Sequence, residues 1–264
     1  MNDSYELGTG GTLGMALSLT TVGGFVDAVG WIALFQIFTA NMSGNSVHIG
    51  MYLGRGDWRD LSRPLCAVAS YVVGMGITRV AIEIAGRSGV RRIASITLSV
   101  EALLLAIFAH ARPAMHLGQL ANLYSPAYFL LVALLAFAMG VQTATLTHVG
   151  ALTIYTTFVT GTLTKMTESL TRLSFWVYDE VRRVDARHVL RNLGGHRDAR
   201  AASALAGTWL CYVLGAAAGT TLKIRWELRS LYVPVAVLAI MILIDQFRPV
   251  GVEEEKHQTG QKRV

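Results

Sequence analysis

Charge is what this sequence is short of. Only 15% of its 264 residues are Asp, Glu, Lys or Arg, where a soluble domain carries about 25%. Such a chain has too few ionic groups to cover a globular surface in water, which excludes a soluble domain. Cysteine is scarce as well. Cys66 and Cys211 both lie in apolar runs, so the pattern excludes a disulfide scaffold and offers no zinc or haem spacing. They read as small buried hydrophobes. The opening Met-Asn-Asp-Ser-Tyr-Glu is acidic and lacks the basic start and small-residue cleavage site of a signal peptide, so the first apolar stretch is expected to be a retained helix. No G-x-S-x-G elbow, H-E-x-x-H pair or P-loop is present, and Gly195-His196 is a loop glycine pair without context. The expectation is therefore no enzyme, no cofactor and no metal site.

What is present is apolar sequence in long runs. Hydrophobic residues make up 53% of the chain, and the mean hydropathy is +0.45. Six stretches, 12–34, 64–85, 93–110, 127–149, 201–222 and 231–247, reach or approach the roughly 20 residues needed to cross a bilayer. The net charge of +6 is not a nucleic-acid footprint, because most arginines fall in loops between the apolar stretches, where the positive-inside rule expects them.

Two polar interruptions stand out. Phe38-Thr39-Ala40-Asn41-Met42-Ser43-Gly44-Asn45-Ser46-Val47-His48 has a counterpart in Tyr155-Thr156-Thr157-Phe158-Val159-Thr160-Gly161-Thr162-Leu163-Thr164-Lys165. Upstream, Gly24-Phe25-Val26-Asp27-Ala28 aligns with Gly140-Val141-Gln142-Thr143-Ala144. Downstream, Tyr71-Val72-Val73-Gly74 aligns with Tyr212-Val213-Leu214-Gly215. The fold expected is an all-α integral membrane protein of about six transmembrane helices in two repeated halves, each with a broken or re-entrant segment. The halves would be 1–112 and 125–249, the second with a cytoplasmic insertion at 165–200, and 250–264 would be a disordered polar tail.

From Thr12 to Gly54 the only charge is Asp27, a run too long for one crossing. The piece after Gly150 is rich in Thr, Ile and Val, which favour extended backbone. Each break is therefore read as an extended stretch followed by a half-helix starting near Ser43-Gly44 or Thr160-Gly161. Re-entrant loops would give three crossings per half and inverted halves, and broken crossings four per half and parallel halves. In either version the arginine-rich 165–200 segment and both termini are cytoplasmic. Leu170, Leu173, Val177, Val181 and Val184 recur there at helical spacing, beside Trp176 and Tyr178, as in an amphipathic helix on the inner leaflet.

Backbone polar groups in a membrane must be satisfied internally, so a break survives only where it lines a cavity or packs on protein. Two half-helix N-termini, with free N–H groups and positive dipole, would form a polar-solute or anion site. Asn41, Ser43, Gly44, Asn45, Thr160, Gly161 and Thr162 are the substrate-binding candidates. Close helix packing through small residues is the competing reading. Asp27 and Glu101, each inside an apolar span, are candidates for proton or ion coupling. Arg79 and Glu83 are spaced as an i,i+4 pair, and His48, His148 and Lys165 flank the breaks.

The Gly24–Ala28 step followed by Asn41-Met42-Ser43-Gly44-Asn45 resembles the signature of the YoaK-like family of bacterial membrane proteins, a domain of unknown function (1275, also grouped as UPF0700). Ser43 stands where that family usually has Thr and keeps the hydroxyl. The resemblance spans nearly the whole chain and implies a multi-pass protein of the bacterial cytoplasmic membrane, without implying an activity. The leading expectation is a small-solute or ion transporter or channel. The alternative is a non-transporting scaffold or sensor with a basic cytoplasmic loop. The lipid bilayer and an unidentified small solute or ion are the expected partners, nucleic acid is not, and a homo-oligomer is compatible with the pattern.

Overall fold

The computed structural model describes residues 10–88, 93–111, 123–145, 148–149, 152–153, 157, 159–184 and 186–247. Their helices are α1 (Gly10–Ala33), α2 (Met42–Arg55), α3 (Trp58–Arg87), α4 (Ile93–His110), α5 (Pro126–Thr145), α6 (Val159–Val181), α7 (Ala186–Leu193), α8 (Arg197–Trp226) and α9 (Tyr232–Phe247). A 3-10 turn, Glu227–Leu231, joins α8 to α9, and two two-residue strands, His148–Val149 and Leu152–Thr153, pair antiparallel before α6. Among the described residues, five stretches are long and apolar enough to cross a membrane: α1, α3, α4, α5 and the 51-residue run Arg197–Phe247. That last run contains α8 and α9, and Glu227 turns between them with φ at +52°.

Helix boundaries follow local chemistry. Asn41 caps α2, its side chain accepting from Gly44 N–H. The helix therefore begins at Met42, slightly ahead of the Ser43-Gly44 start expected from the hydroxyl. Gly56 ends it in the left-handed region at φ +69°, its N–H and that of Asp57 bonding back to Leu53 and Tyr52 carbonyls. This is a Schellman stop. Asp57 then caps α3, so α2 and α3 form a tight helical hairpin. The third helix starts at Trp58, six residues ahead of the apolar run, with Pro64 inside it.

The α6 helix starts at Val159, the residue aligned with Met42, and takes Thr160 and Gly161 into its first turn. The extended stretch expected through Thr160 thus stops earlier; Tyr155, Thr156 and Phe158 lie outside the described residues. The half-helix and the amphipathic helix expected near 170–184 are one continuous helix as far as Val181, because no Gly or Pro interrupts it after Gly161.

The main packing pairs are α3 with α5 and α1 with α8, with α4 between α5 and α9, and α6 against α8. Both main pairs meet through glycine. A Cβ on Gly24 would stand 2.1 Å from the Tyr212 carbonyl oxygen, and one on Gly215 2.2 Å from that of Thr21. A Cβ on Gly140 would stand 2.3 Å from the Tyr71 carbonyl oxygen, and one on Gly74 2.5 Å from that of Phe137. Only glycine permits backbones this close, as small residues do in membrane helix pairs generally.

Polar contacts mark the two ends of the bundle. At one end Ser95, early in α4, donates to Asp245, late in α9, and Arg172 of α6 pairs with Asp198 of α8 at 3.2 Å. At the other, the Tyr128 hydroxyl donates to Leu34 O at 2.9 Å, Arg63 reaches Phe35 O at 2.6 Å, and His110 meets the Tyr232 hydroxyl at 3.0 Å. Glu83 pairs with Arg87 at 2.8 Å, not with Arg79 as expected. Both spacings are i,i+4, but the Glu-before-Arg order is the one that also suits the helix dipole.

Candidate functional site

The first break is organised around Asp27, which is 4% exposed. After α1 ends at Ala33, Phe35 and Gln36 both take left-handed backbone, φ +52° and +67°, although neither is glycine. This strain costs on the order of 1–2 kcal/mol per residue. Arg63 and Tyr128 hold it from outside: Arg63 donates through Nη2 to Phe35 O and through Nε to the Tyr128 hydroxyl, and Tyr128 in turn donates to Leu34 O. Beside this cluster Asp60 accepts from the Tyr124 hydroxyl, and that bond pushes the Tyr124 phenol up from its ordinary value.

The chain then comes back along α1. Thr39 N–H and Ala40 N–H each donate to Asp27 Oδ1 at 2.8 Å, and Asn41 N–H does so at 3.4 Å. The other carboxylate oxygen, Oδ2, accepts from the Tyr212 hydroxyl of α8 at 2.7 Å. Asp27 therefore satisfies the donors in front of α2 and sits at the positive end of its dipole. It also ties the loop to a helix 185 positions away in the chain.

The other first-break candidates are engaged locally. Asn45, fully buried, accepts from Phe38 N–H at 3.1 Å and donates to Phe38 O at 2.7 Å, clamping the loop as a strand partner would. Ser43 is exposed and donates to Asn41 Oδ1 at 2.7 Å. A Cβ on Gly44 would strike the Phe38 ring at 2.8 Å. His48 lies 6.4 Å from that ring.

The second break has a related arrangement without the carboxylate. The Tyr71 hydroxyl of α3 donates to Thr143 Oγ1 at 2.8 Å, and Thr143 lies 3.1 Å from Thr157 Oγ1. Thr162 is buried, while Thr160 is exposed. An open groove of about 660 Å³ runs up the outside of α6, lined by Thr160, Leu163, Thr164, Thr167, Glu168, Thr171 and Arg172. It reaches the second break and does not extend to Asn41. The His148 side chain and Thr156 lie outside the described residues.

Glu101 is remote from both breaks in sequence. It is fully buried on α4, and neither carboxylate oxygen has a hydrogen-bond partner. Sequence reading passed over Asp245, the one acid in its apolar run, which is 1% exposed and bonded to Ser95. It also left out Tyr71, Tyr212, Arg63 and Thr157. The two tyrosines were visible as aligned positions, but nothing in the sequence named their partners.

Taken together, these helices define a multi-pass α-helical membrane protein. The chain belongs to the family described as a protein of unknown function, DUF1275, whose model matches residues 15–244. Among curated proteins it is similar to the UPF0700 transmembrane protein YoaK of Bacillus subtilis (strain 168), with 28% identity over 165 residues, 62% of this chain and 69% of that protein. No solved structure matches the chain.

Proposed function

We propose that the chain is a small-solute or ion transporter or channel built from two inverted repeats, with its path between the two re-entrant segments. One observation carries the reading, the reciprocity of the contacts. Gly24 meets the Tyr212 carbonyl as the aligned Gly140 meets that of the aligned Tyr71. The Tyr212 hydroxyl reaches Asp27 as the Tyr71 hydroxyl reaches the aligned Thr143. Packing of small residues alone gives no reason for four aligned positions to exchange partners between halves. A two-fold relation does.

The ends of the helices support inverted halves. With Ser95 near Asp245 and His110 near Tyr232, α4 and α9 run in opposite directions. Leu34 and Phe35 lie beside Tyr128 and Arg63, so α1 ends where α3 and α5 begin. The second helix starts beside Asp27, short of the end of α1, and finishes at the hairpin to α3. This supports a first segment that enters and leaves at one end. On this reading α8 and α9 are separate crossings, making six. The end holding Arg87, Arg172 and Arg197 is then cytoplasmic by the positive-inside rule, with both termini there in a bacterial inner membrane.

Asp27 acts here as a latch. Ionised, it holds three N–H groups and the Tyr212 hydroxyl; protonated, it holds them less well, freeing loop 34–41 to move against α8. The scaffold reading draws on a specific observation too: Asn41, Asn45 and Asp27 are all engaged in bonds within the protein, and the groove at Thr160 stops short of them. Flux into proteoliposomes across a panel of inorganic ions and small polar solutes, with and without a pH gradient, separates the two. The transporter reading expects flux of at least one compound, with pH dependence lost in Asp27→Asn while the protein still folds. No flux for any compound, with Asp27 substitutions changing stability alone, would favour the scaffold.

A further inference from the structure

The acid on α4 stands apart from the other buried acids described, Asp27 and Asp245, which are hydrogen-bonded. Glu101 is fully buried in an apolar helix, and neither of its oxygens has a partner. An ionised carboxylate left so in a membrane interior costs several kcal/mol or more. Among the described residues no compensating cation faces it. The helices packed on α4 are α9, whose only titratable groups are Asp245 and Tyr232, and α5, whose only one is Tyr128. The 3-10 turn brings Glu227 and Arg229 against α4, but at the His110 end. The third helix touches α4 slightly; its charged groups are Arg59, Asp60, Arg63, Arg79, Glu83 and Arg87, with Cys66 and Tyr71 also titratable. None of these gives Glu101 a hydrogen bond.

The register of α4 on α9 is set by Ser95 with Asp245 and by His110 with Tyr232. It places Glu101 opposite the Leu238–Met241 stretch, with Leu98 and Leu105 one turn away on its own buried face. This surrounding can hold a proton. It cannot hold a hard metal cation, which needs about six oxygen ligands. Asp245 and Ser95 lie on the same interface, roughly 9 Å closer to the bundle end by helix rise. An open groove of about 530 Å³ runs beside them on the outer face of α4, lined by Ser95, Ser99 and Gln246 among apolar side chains; neither Asp245 nor Glu101 lines it.

We propose that Glu101 is a proton-binding site reached from the α4 start and α9 end of the bundle through Asp245 and Ser95. A proton from the aqueous phase adds to the Asp245 carboxylate. It passes along water admitted beside Ser95 to a Glu101 oxygen, converting that carboxylate to the neutral acid, and the reverse sequence returns it. Glu101 would then couple transport to H⁺ rather than to Na⁺. That last clause rests on the transport reading; the site itself does not.

Infrared spectroscopy of the full-length protein in liposomes tests this without a substrate. A protonated carboxyl stretch is expected near neutral pH, to be lost in Glu101→Gln and shifted but retained in Glu101→Asp. Its shift on transfer to D2O should slow about a hundredfold in Asp245→Asn, the size of losing one positioned proton-transfer group, with the band itself retained. If Glu101→Gln does not fold, the Glu101→Asp shift alone identifies the band. Absence of a band assignable to Glu101, or unchanged exchange in Asp245→Asn, overturns the proposal. A Glu101 band without any solute flux would sink the transport reading and leave the site standing, whereas flux driven by Na⁺ with no such band would do the reverse.

Discussion

Replacing Asp27 by alanine removes a hub, and the structure sets how much that should cost. Thr39 N–H and Ala40 N–H, each 2.8 Å from Oδ1, lose their acceptor in a buried site, and Asn41 N–H loses a longer contact. A buried donor left unsatisfied costs about 1–3 kcal/mol, so the two short bonds alone predict a loss of about 2–6 kcal/mol. Asp27→Asn keeps one acceptor oxygen for these donors and should lose less than half of that. Tyr212→Phe deletes one bond to a charged oxygen, about 1.5–3 kcal/mol in water-soluble proteins and nearer 0.6–1.7 between membrane helices. The two effects must be coupled, since Tyr212 has nothing to donate to once the carboxylate is gone. Reversible SDS unfolding of Asp27→Ala, Tyr212→Phe and the double mutant gives the cycle. The expected result is that Tyr212→Phe costs about 1 kcal/mol in the parent and close to nothing in the alanine background. Additive losses, or an Asp27→Ala protein as stable as the parent, would refute the latch.

Three other outcomes follow from the same contacts. Gly24→Leu and Gly140→Leu should each lose expression or at least about 1–3 kcal/mol by overpacking, whereas Gly50→Leu, which meets nothing within 4 Å, should express normally. Arg63→Ala frees the strained Phe35-Gln36 turn and leaves the Phe35 carbonyl without its guanidinium donor; a loss of about 1–3 kcal/mol is expected on unfolding, the scale for a buried polar group left unsatisfied. In a Cys66→Ser/Cys211→Ser background, a cysteine at position 54 should react with an impermeant maleimide on intact cells and one at position 190 should not, and the opposite pattern would reverse the orientation.

The linear chain was enough to determine the class of protein, and the reason is the solvent. Lipid requires long apolar runs, so 93–110 could be read to the residue as α4, and the interruption before Met42 had to be an exception. Glycine at 24, 74, 140 and 215 was visible in the aligned steps of the two halves, whereas Gly50 and Gly76 meet nothing within 4 Å, so a glycine by itself does not mark a close approach. Boundaries set by capping were read less well: the α3 start lies in charged sequence, and the helix after the second break begins before its hydroxyls. The partners were decided by tertiary structure alone. Asp27 finds its hydroxyl at Tyr212, Ser95 its carboxylate at Asp245, and Arg63 its carbonyl at Phe35. Glu101, on a helix as apolar as its neighbours, finds no partner at all. Periodicity assigns a residue to a face of its own helix. Which atom meets that face depends on the crossing and register of helices far apart in the chain, and those are set only when the whole bundle packs.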